Sequence, residues 1–409
     1  MKTKLFLFTV ILSIVSANKS NAQTAYISNY NDSTVSVIDV ITHTVYTTIA
    51  VGKEPGGVSV SSDGNWVYIA NFSDSSVTVI STVANAVSAI VPVGHYPAGI
   101  AVTPDGSKVY VANQFDNTVS VINTSSNTVT ATIPVGSLPL GVSVSPDGSK
   151  VYVTNWDDYS ISVLSSLADT VAATIFVGSG PQGLVVSPDG NKIYVATENT
   201  NSVTVIDAAT NSVLTTITVG TAPYGVTITP DGSKVYVTNN FTSGTVSVIN
   251  TAADTVSATI TVGANPVGIS VSPDGSKVYV ANYGSNTVNV IYTAADTVAD
   301  TIIVGSAPQS LGNFISTYTL PLGIASQSDI TETVSIYPNP CTAETTITFS
   351  EEQKNTIIKV INILGEEVQQ LTTSNKQLTL DLSGAGKGIY FAEIINEKRN
   401  IVNKKIAVQ

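Results

Sequence analysis

The sequence is short of most residues on which protein chemistry depends. Of 409 residues only 11% are charged, and there are one Cys, one Met, two Trp and two His. A single Cys forbids an internal disulfide and any multi-Cys zinc site. His43 and His95 leave little for histidine-dependent acid–base chemistry or metal ligation. Seventeen basic residues against 29 acidic ones give a formal charge of −12. Phosphate would repel such a chain, so nucleic acid is not an expected partner. The apolar run Leu5 to Val15 is far shorter than the ~20 residues of a membrane-spanning helix. No other stretch is long and apolar enough, so no transmembrane segment is expected in the mature protein. Disorder is excluded as well, because 43% of the residues are hydrophobic and charge is sparse.

What is present points to β structure: β-branched residues are abundant and charged helix formers are few. At the N-terminus, Lys2 and Lys4 precede the apolar run, and small residues lead to Ser20-Asn21-Ala22. That order predicts a secretory signal peptide over 1–22. Beyond it, Tyr26, Tyr68, Tyr110, Tyr152, Tyr194, Tyr236 and Tyr279 recur at spacings of 42, 42, 42, 42, 42 and 43. The glycines of a Val-Gly pair (52, 94, 136, 178, 220, 263 and 305) mark the same lattice. A period of ~40–45 residues with several short β runs per unit is that of a propeller blade. Seven marks predict an all-β, seven-bladed β-propeller over 23–315. Each unit reads as four strands, with a Pro-Asp-Gly-Ser-Lys type turn between the first and second. The first unit lacks its opening strand and the last is followed by a stray one. Residues 307–315 are therefore expected to pair with 25–29 and complete the seventh sheet, leaving no open edge.

These units resemble the YVTN family of β-propeller repeats. The resemblance rests on Tyr110-Val-Ala-Asn113, Tyr152-Val-Thr-Asn155, Tyr236-Val-Thr-Asn239 and Tyr279-Val-Ala-Asn282, and on Pro-Asp-Gly-Ser-Lys at 104–108, 146–150, 230–234 and 273–277. It implies a cell-surface or extracytoplasmic setting and no single activity.

Residues 316–331 are polar and unpatterned, a linker. Over 332–409, short β runs separated by Gly365, Gly384, Gly386 and Gly388 predict a small β-sandwich. This stretch resembles the C-terminal sorting domain of type IX secretion cargo. The likeness is carried by Val334-Ser-Ile-Tyr337-Pro338-Asn339-Pro340, by Ile361-Asn-Ile-Leu-Gly365-Glu-Glu-Val368, by Asp381 followed by Gly388-Ile389-Tyr390, and by the closing Lys404–Val408. It implies the type IX secretion machinery as partner, passage through the periplasm and arrival outside the outer membrane. Cys341 reads as a lone tolerated thiol.

No enzyme motif is found: no G-x-S-x-G, no P-loop, no H-E-x-x-H. No cofactor or metal is expected. The turn aspartates (Asp63, Asp105, Asp147, Asp189, Asp231, Asp274) are expected to pair with the Lys that closes each turn, and the recurrent Asn to form turns. Variable residues between the repeats are more telling. Loops between strands two and three, and between blades, should share one face. They carry the ligand-binding candidates Tyr30, Phe72, Tyr96, Phe115, Trp156, Asp157, Asp158, Tyr159, Glu198, Tyr224, Phe241 and Tyr283. Aromatic rings beside carboxylates suit a sugar, a peptide or a matrix component; the alternative is that the rings only cap the gaps between blades. The opposite face should be plain and solvated. The expected function is non-enzymatic binding or adhesion outside the cell. The alternatives are a propeller hydrolase or lyase, and a structural surface-layer component.

Overall fold

The computed structural model describes residues 23–316, 334–350, 352–362, 367–395 and 401–408. The expected signal peptide, all of the expected linker but Ser316, and Gly365 lie outside the described residues. Contacts divide the chain into Met1–Thr319 and Leu320–Gln409.

The first unit contains six four-stranded antiparallel sheets and one of three strands, each joining strands in chain order. Blade three is typical: Pro97–Val102, Lys108–Asn113, Thr118–Asn123 and Thr128–Pro134. The second and third strands are almost wholly buried, whereas the fourth alternates on the rim. No blade has a core of its own. Tyr152, Ile161, Val163 and Ile175 of blade four pack with Leu184, Ile193, Val195 and Ile206 of blade five in one cluster. Burial therefore exists only between neighbours, and the ring has to close.

Closure is seen. Ala25 bridges Ile315 and Asn29 bridges Pro308, both antiparallel. Tyr26 N donates to Phe314 O at 2.9 Å and Gln309 N to Ser28 O at 3.0 Å. The closing segment does more than fill the seventh sheet, because it also runs parallel to blade two. Val58 N donates to Leu311 O and Val60 N to Asn313 O. Gly312, at φ 110, allows that step; a Cβ there would stand 2.6 Å from Val58 O.

Each letter of the repeat has a physical task. The tyrosine is buried between blades, and Tyr236 Oη donates to Asp296 of the next blade at 2.6 Å. The third letter is small or a hydroxyl. Thr154 Oγ1 accepts from Gly141 N and donates to Gln182 O of the next blade, at 2.7 Å each. The asparagine is no turn former, contrary to expectation. Asn71, Asn113 and Asn155 are fully buried, and each donates its amide to two hydroxyls of the third strand. The Val-Gly glycine lies against that amide: a Cβ on Gly136 would stand 2.6 Å from Asn155 Cγ. That contact is why the two marks keep the same period.

The turn lysines also depart from expectation. Asp105 is bonded by Thr103 and Ser107 within its own turn. Lys108 instead reaches the next blade, at 2.8 Å from Asp169. Lys192–Asp254 and Lys234–Asp296 repeat the brace at 2.9 and 2.7 Å, and Lys150 and Lys277 take carbonyls, Ala208 O and Val40 O. The short turn fills each aspartate's acceptors with local donors, so the long lysine is free to cross. Asp169, Asp254 and Asp296 sit at positive φ, as do His43, Asn85, Asn127 and Asn211 at the same position of the other blades. Asn, Asp and His tolerate that conformation best.

The second unit has a three-stranded and a four-stranded sheet over one core that includes Ile347, Phe349, Ile358, Val360, Leu380, Ala392 and Ile406, so it is a β-sandwich. Its opening motif is tied to its last strand: Ala407 N donates to Asn339 Oδ1 and Cys341 N to Ala407 O. Pro338 O accepts from Thr345, Asp381 from Ser383 N, and Tyr390 Oη donates to Gly386 O. Gly388 pairs with Val408. Tyr337 is exposed and makes the first of two cis X-Pro bonds, to Pro338; the second joins Asn339 to Pro340. Cys341 is a buried free thiol.

Candidate functional site

The blade-joining loops and the loops between strands two and three do lie together. In blade three, Gln114 N donates to Tyr96 O and Phe115 N to His95 O. Several candidates on this face hold the scaffold. Asp158 Oδ2 accepts from Ser137 N at 2.6 Å, and Asp74, Asp116 and Asp32 do the same for Lys53, His95 and Ser306. Tyr96 and Tyr159 occupy positive-φ positions, the first before a blade-opening proline and the second before a third strand.

The face nonetheless gathers part of the expected set. Tyr283, Tyr30, Phe72, Tyr96 and Phe115, from blades seven, one, two and three, form a continuous arc. Successive ring centroids are 6.4, 6.4, 4.7 and 5.3 Å apart. Phe115 is 73% exposed. Glu54 anchors the arc, accepting from Tyr30 Oη at 2.9 Å and from Ser73 Oγ. Burial, together with Glu54, holds the Tyr30 phenol well above its ordinary range.

A second group stands across blades four to six. Glu198 accepts from Trp156 Nε1 at 3.2 Å and Gln182 Nε2 at 2.5 Å. Tyr224 is pushed up to about 12, first by burial and then by Glu198. Asp157, Tyr159 and Phe241 join neither group through a side-chain contact, and Tyr159 and Phe241 stand half-exposed. Glu54, which the sequence places in a blade-joining loop of this face, and Gln182, which the sequence reading did not single out, belong with the site. The signal for Gln182 was the middle of Pro-x-Gly, which changes from blade to blade: Gly56, Ala98, Leu140, Gln182, Tyr224, Val267 and, in the closing segment, Gln309.

His95 pairs with Asp116 at 2.9 Å on the rim of this face, and His43 pairs with Asp300 at 3.1 Å elsewhere. Among the described residues no group of three or more His, Cys, Asp and Glu is placed to hold a metal ion. The sequence has no arginine before Arg399. Five of the six propeller lysines are committed to the neighbouring blade.

Comparison with known proteins agrees with this architecture. The model of the family described as lactonase, seven-bladed beta-propeller, matches residues 19–132 and 207–304. Blade four and nearly all of the first three strands of blade five, with Trp156 and Glu198, fall in the interval it leaves out. A secretion system C-terminal sorting domain matches residues 335–409. No curated protein matches the chain. Among solved structures, hydrazine synthase of Kuenenia stuttgartiensis is 26% identical over 67% of this chain and 93% of its own, with a TM-score of 0.62. A functionally unknown protein of Desulfotomaculum acetoxidans DSM 771 is 18% identical over 71% and 100%, with the same TM-score. A candidate 6-phosphogluconolactonase of Bacteroides uniformis ATCC 8492 is 20% identical over 70% and 98%, again at 0.62. The sorting domain marks the protein for export to the cell surface or beyond and implies contact with the secretion machinery. The chain thus belongs to the lactonase-type family of seven-bladed β-propellers and carries a C-terminal secretion sorting domain.

Proposed function

We propose that the exported propeller is a non-catalytic binding module, and that a glycan or peptide segment of extracellular material seats across the aromatic face. The observation that carries this reading is the arc from Tyr283 to Phe115 with Glu54 beneath it. The exposed rings of Tyr96 and Phe115 and the half-buried rings beside them offer stacking faces, and a carboxylate already fixed by two donors keeps lone pairs for ligand hydroxyl or amide hydrogens. Trp156 with Glu198 supplies the same pairing across the face. On this reading 23–315 is the working part, 316–331 a linker and 332–409 the sorting part.

The family's name makes lactone hydrolysis the second reading. The absence of arginine from the propeller and the committed lysines leave little to hold a phosphorylated substrate, and Glu54, Asp158 and Glu198 are hydrogen-bond acceptors fixed by neighbours. A glycan and peptide array probed with the full-length protein tests both. Binding that is lost in Tyr30→Ala or Trp156→Ala with unchanged thermal stability supports the proposal. Turnover of a δ-lactone above background, abolished by Glu198→Gln, overturns it.

A further inference from the structure

The channel along the ring axis narrows at one level. Ile100, Val142, Leu184, Val226 and Ile269, with Leu311 and Gly312, line a waist that leaves a cavity of only about 40 Å³. On the side of the Asp-Gly hairpins, the face expected to be plain, the channel widens to a basin of about 440 Å³. That falls within the roughly 300–1,000 Å³ of small-molecule sites.

The wall of the basin is built from one strand position repeated around the ring. Ser59, Ser143, Thr227 and Ser270 line it from that position, which Ala101 and Val185 fill in blades three and five, and Asn313 of the closing segment, one residue further from its proline, joins them. No charged side chain lines the basin. Ser270 Oγ donates to Asn313 Oδ1 at 3.1 Å, and Ser59 Oγ accepts from Val102 N at 3.2 Å. The hydroxyls of Ser143 and Thr227 have no protein partner among the described residues, although Thr227 is only 9% exposed. Neither hydroxyl is among the buried side-chain atoms left without a partner, so both open onto the basin and can hydrogen-bond what enters it.

We propose that this basin is a binding site for a neutral sugar ring of monosaccharide size, separate from the aromatic face. The uncharged wall would leave an ionic ligand unpaired, and a wholly apolar one would strand the hydroxyls. A sugar ring meets both conditions: its hydroxyls pair with Ser143, Thr227 and Asn313, and its C–H face lies on the aliphatic floor. Because the waist leaves only about 40 Å³, too little for a sugar ring to pass, a free sugar or the end of a chain enters, not an internal residue of a polymer.

The test is saturation-transfer NMR on the full-length protein, with D-glucose, D-galactose and N-acetyl-D-glucosamine as separate probes and gluconate as the charged comparison. Ser143→Val and Thr227→Val each copy Val185, which the ring already accommodates, so the fold should persist. The double variant is expected to weaken the neutral sugar roughly tenfold or more with unchanged thermal stability, while Trp156→Ala leaves binding intact. The proposal fails if no neutral sugar binds, if gluconate binds as tightly, if the double variant binds like the parent, or if Trp156→Ala removes the signal. The last result would assign the sugar to the aromatic face.

Discussion

Replacing Gly183 by Ala perturbs an inner-strand contact where the ring has no slack. A Cβ there would stand 2.6 Å from Tyr224 O and 3.3 Å from Gly225 Cα and Val226 N. All three are backbone atoms of the next blade's inner strand. Real Cβ atoms essentially never approach closer than 3.0 Å, so two inner strands must part by about half an ångström. Neither can retreat freely, because each is hemmed in by the blade beyond. The cost therefore belongs in the upper part of the overpacking range, about 2–3 kcal/mol. Gly106 is the control. Its φ is +72° and nothing lies within 4 Å of a Cβ, so Gly106→Ala should cost only the left-handed backbone penalty, about 1 kcal/mol. Both tryptophans, Trp66 and Trp156, are in the propeller. Their fluorescence during urea unfolding of the full chain thus follows the ring alone. Gly99 approaches Leu140 O more closely still, so Gly99→Ala should exceed Gly183→Ala. A Gly183→Ala midpoint equal to or above that of Gly106→Ala would refute the account of how the inner strands pack.

Deleting 307–315 should lower the melting temperature sharply, because it strips the inner strand from blade one and contacts from blade two; a truncated protein that melts like the parent removes the closure mechanism. Asp296→Ala strands Tyr236 Oη and loosens Lys234, an expected loss of about 1–3 kcal/mol. Asp296→Asn should cost less, since Asn211 fills that position in blade five, and equal losses in urea titrations would contradict the brace. The six turn aspartates are held below their ordinary value. Asp147 falls to about 2, chiefly through hydrogen bonds from Ser145 and the Ser149 backbone. Their folded-state values lie below the unfolded ones, so their stabilisation is complete above about pH 5 and is lost as pH falls towards 2. Asp105→Asn with Asp147→Asn should flatten the fall of the unfolding midpoint across that window, and an unchanged slope would count against it.

The blade count was legible because a period of 42 with Tyr and Gly in phase has one economical solution. The partial terminal units carried the closure for the same reason. The roles of the repeated polar residues were not legible. Asn113 and Lys108 look like turn chemistry in sequence, since both adjoin a loop. Yet one reaches inward across a sheet and the other reaches a residue 61 positions away. Likewise, Asp158 and Trp156 are two residues apart. The first clamps a loop and the second meets Glu198, 42 residues on.

The sequence by itself determined a ring of seven interdependent sheets and an exported chain, because periodicity, turn chemistry and the sorting motif are local. Only the tertiary structure decided which polar atoms are spent on the ring and which remain for a ligand. It alone brought five aromatic rings from four blades into one arc, and it alone turned one strand position per blade into a hydroxyl-lined basin above a narrow waist. Those sites are made between blades, and a linear pattern carries no measure of the distances between them.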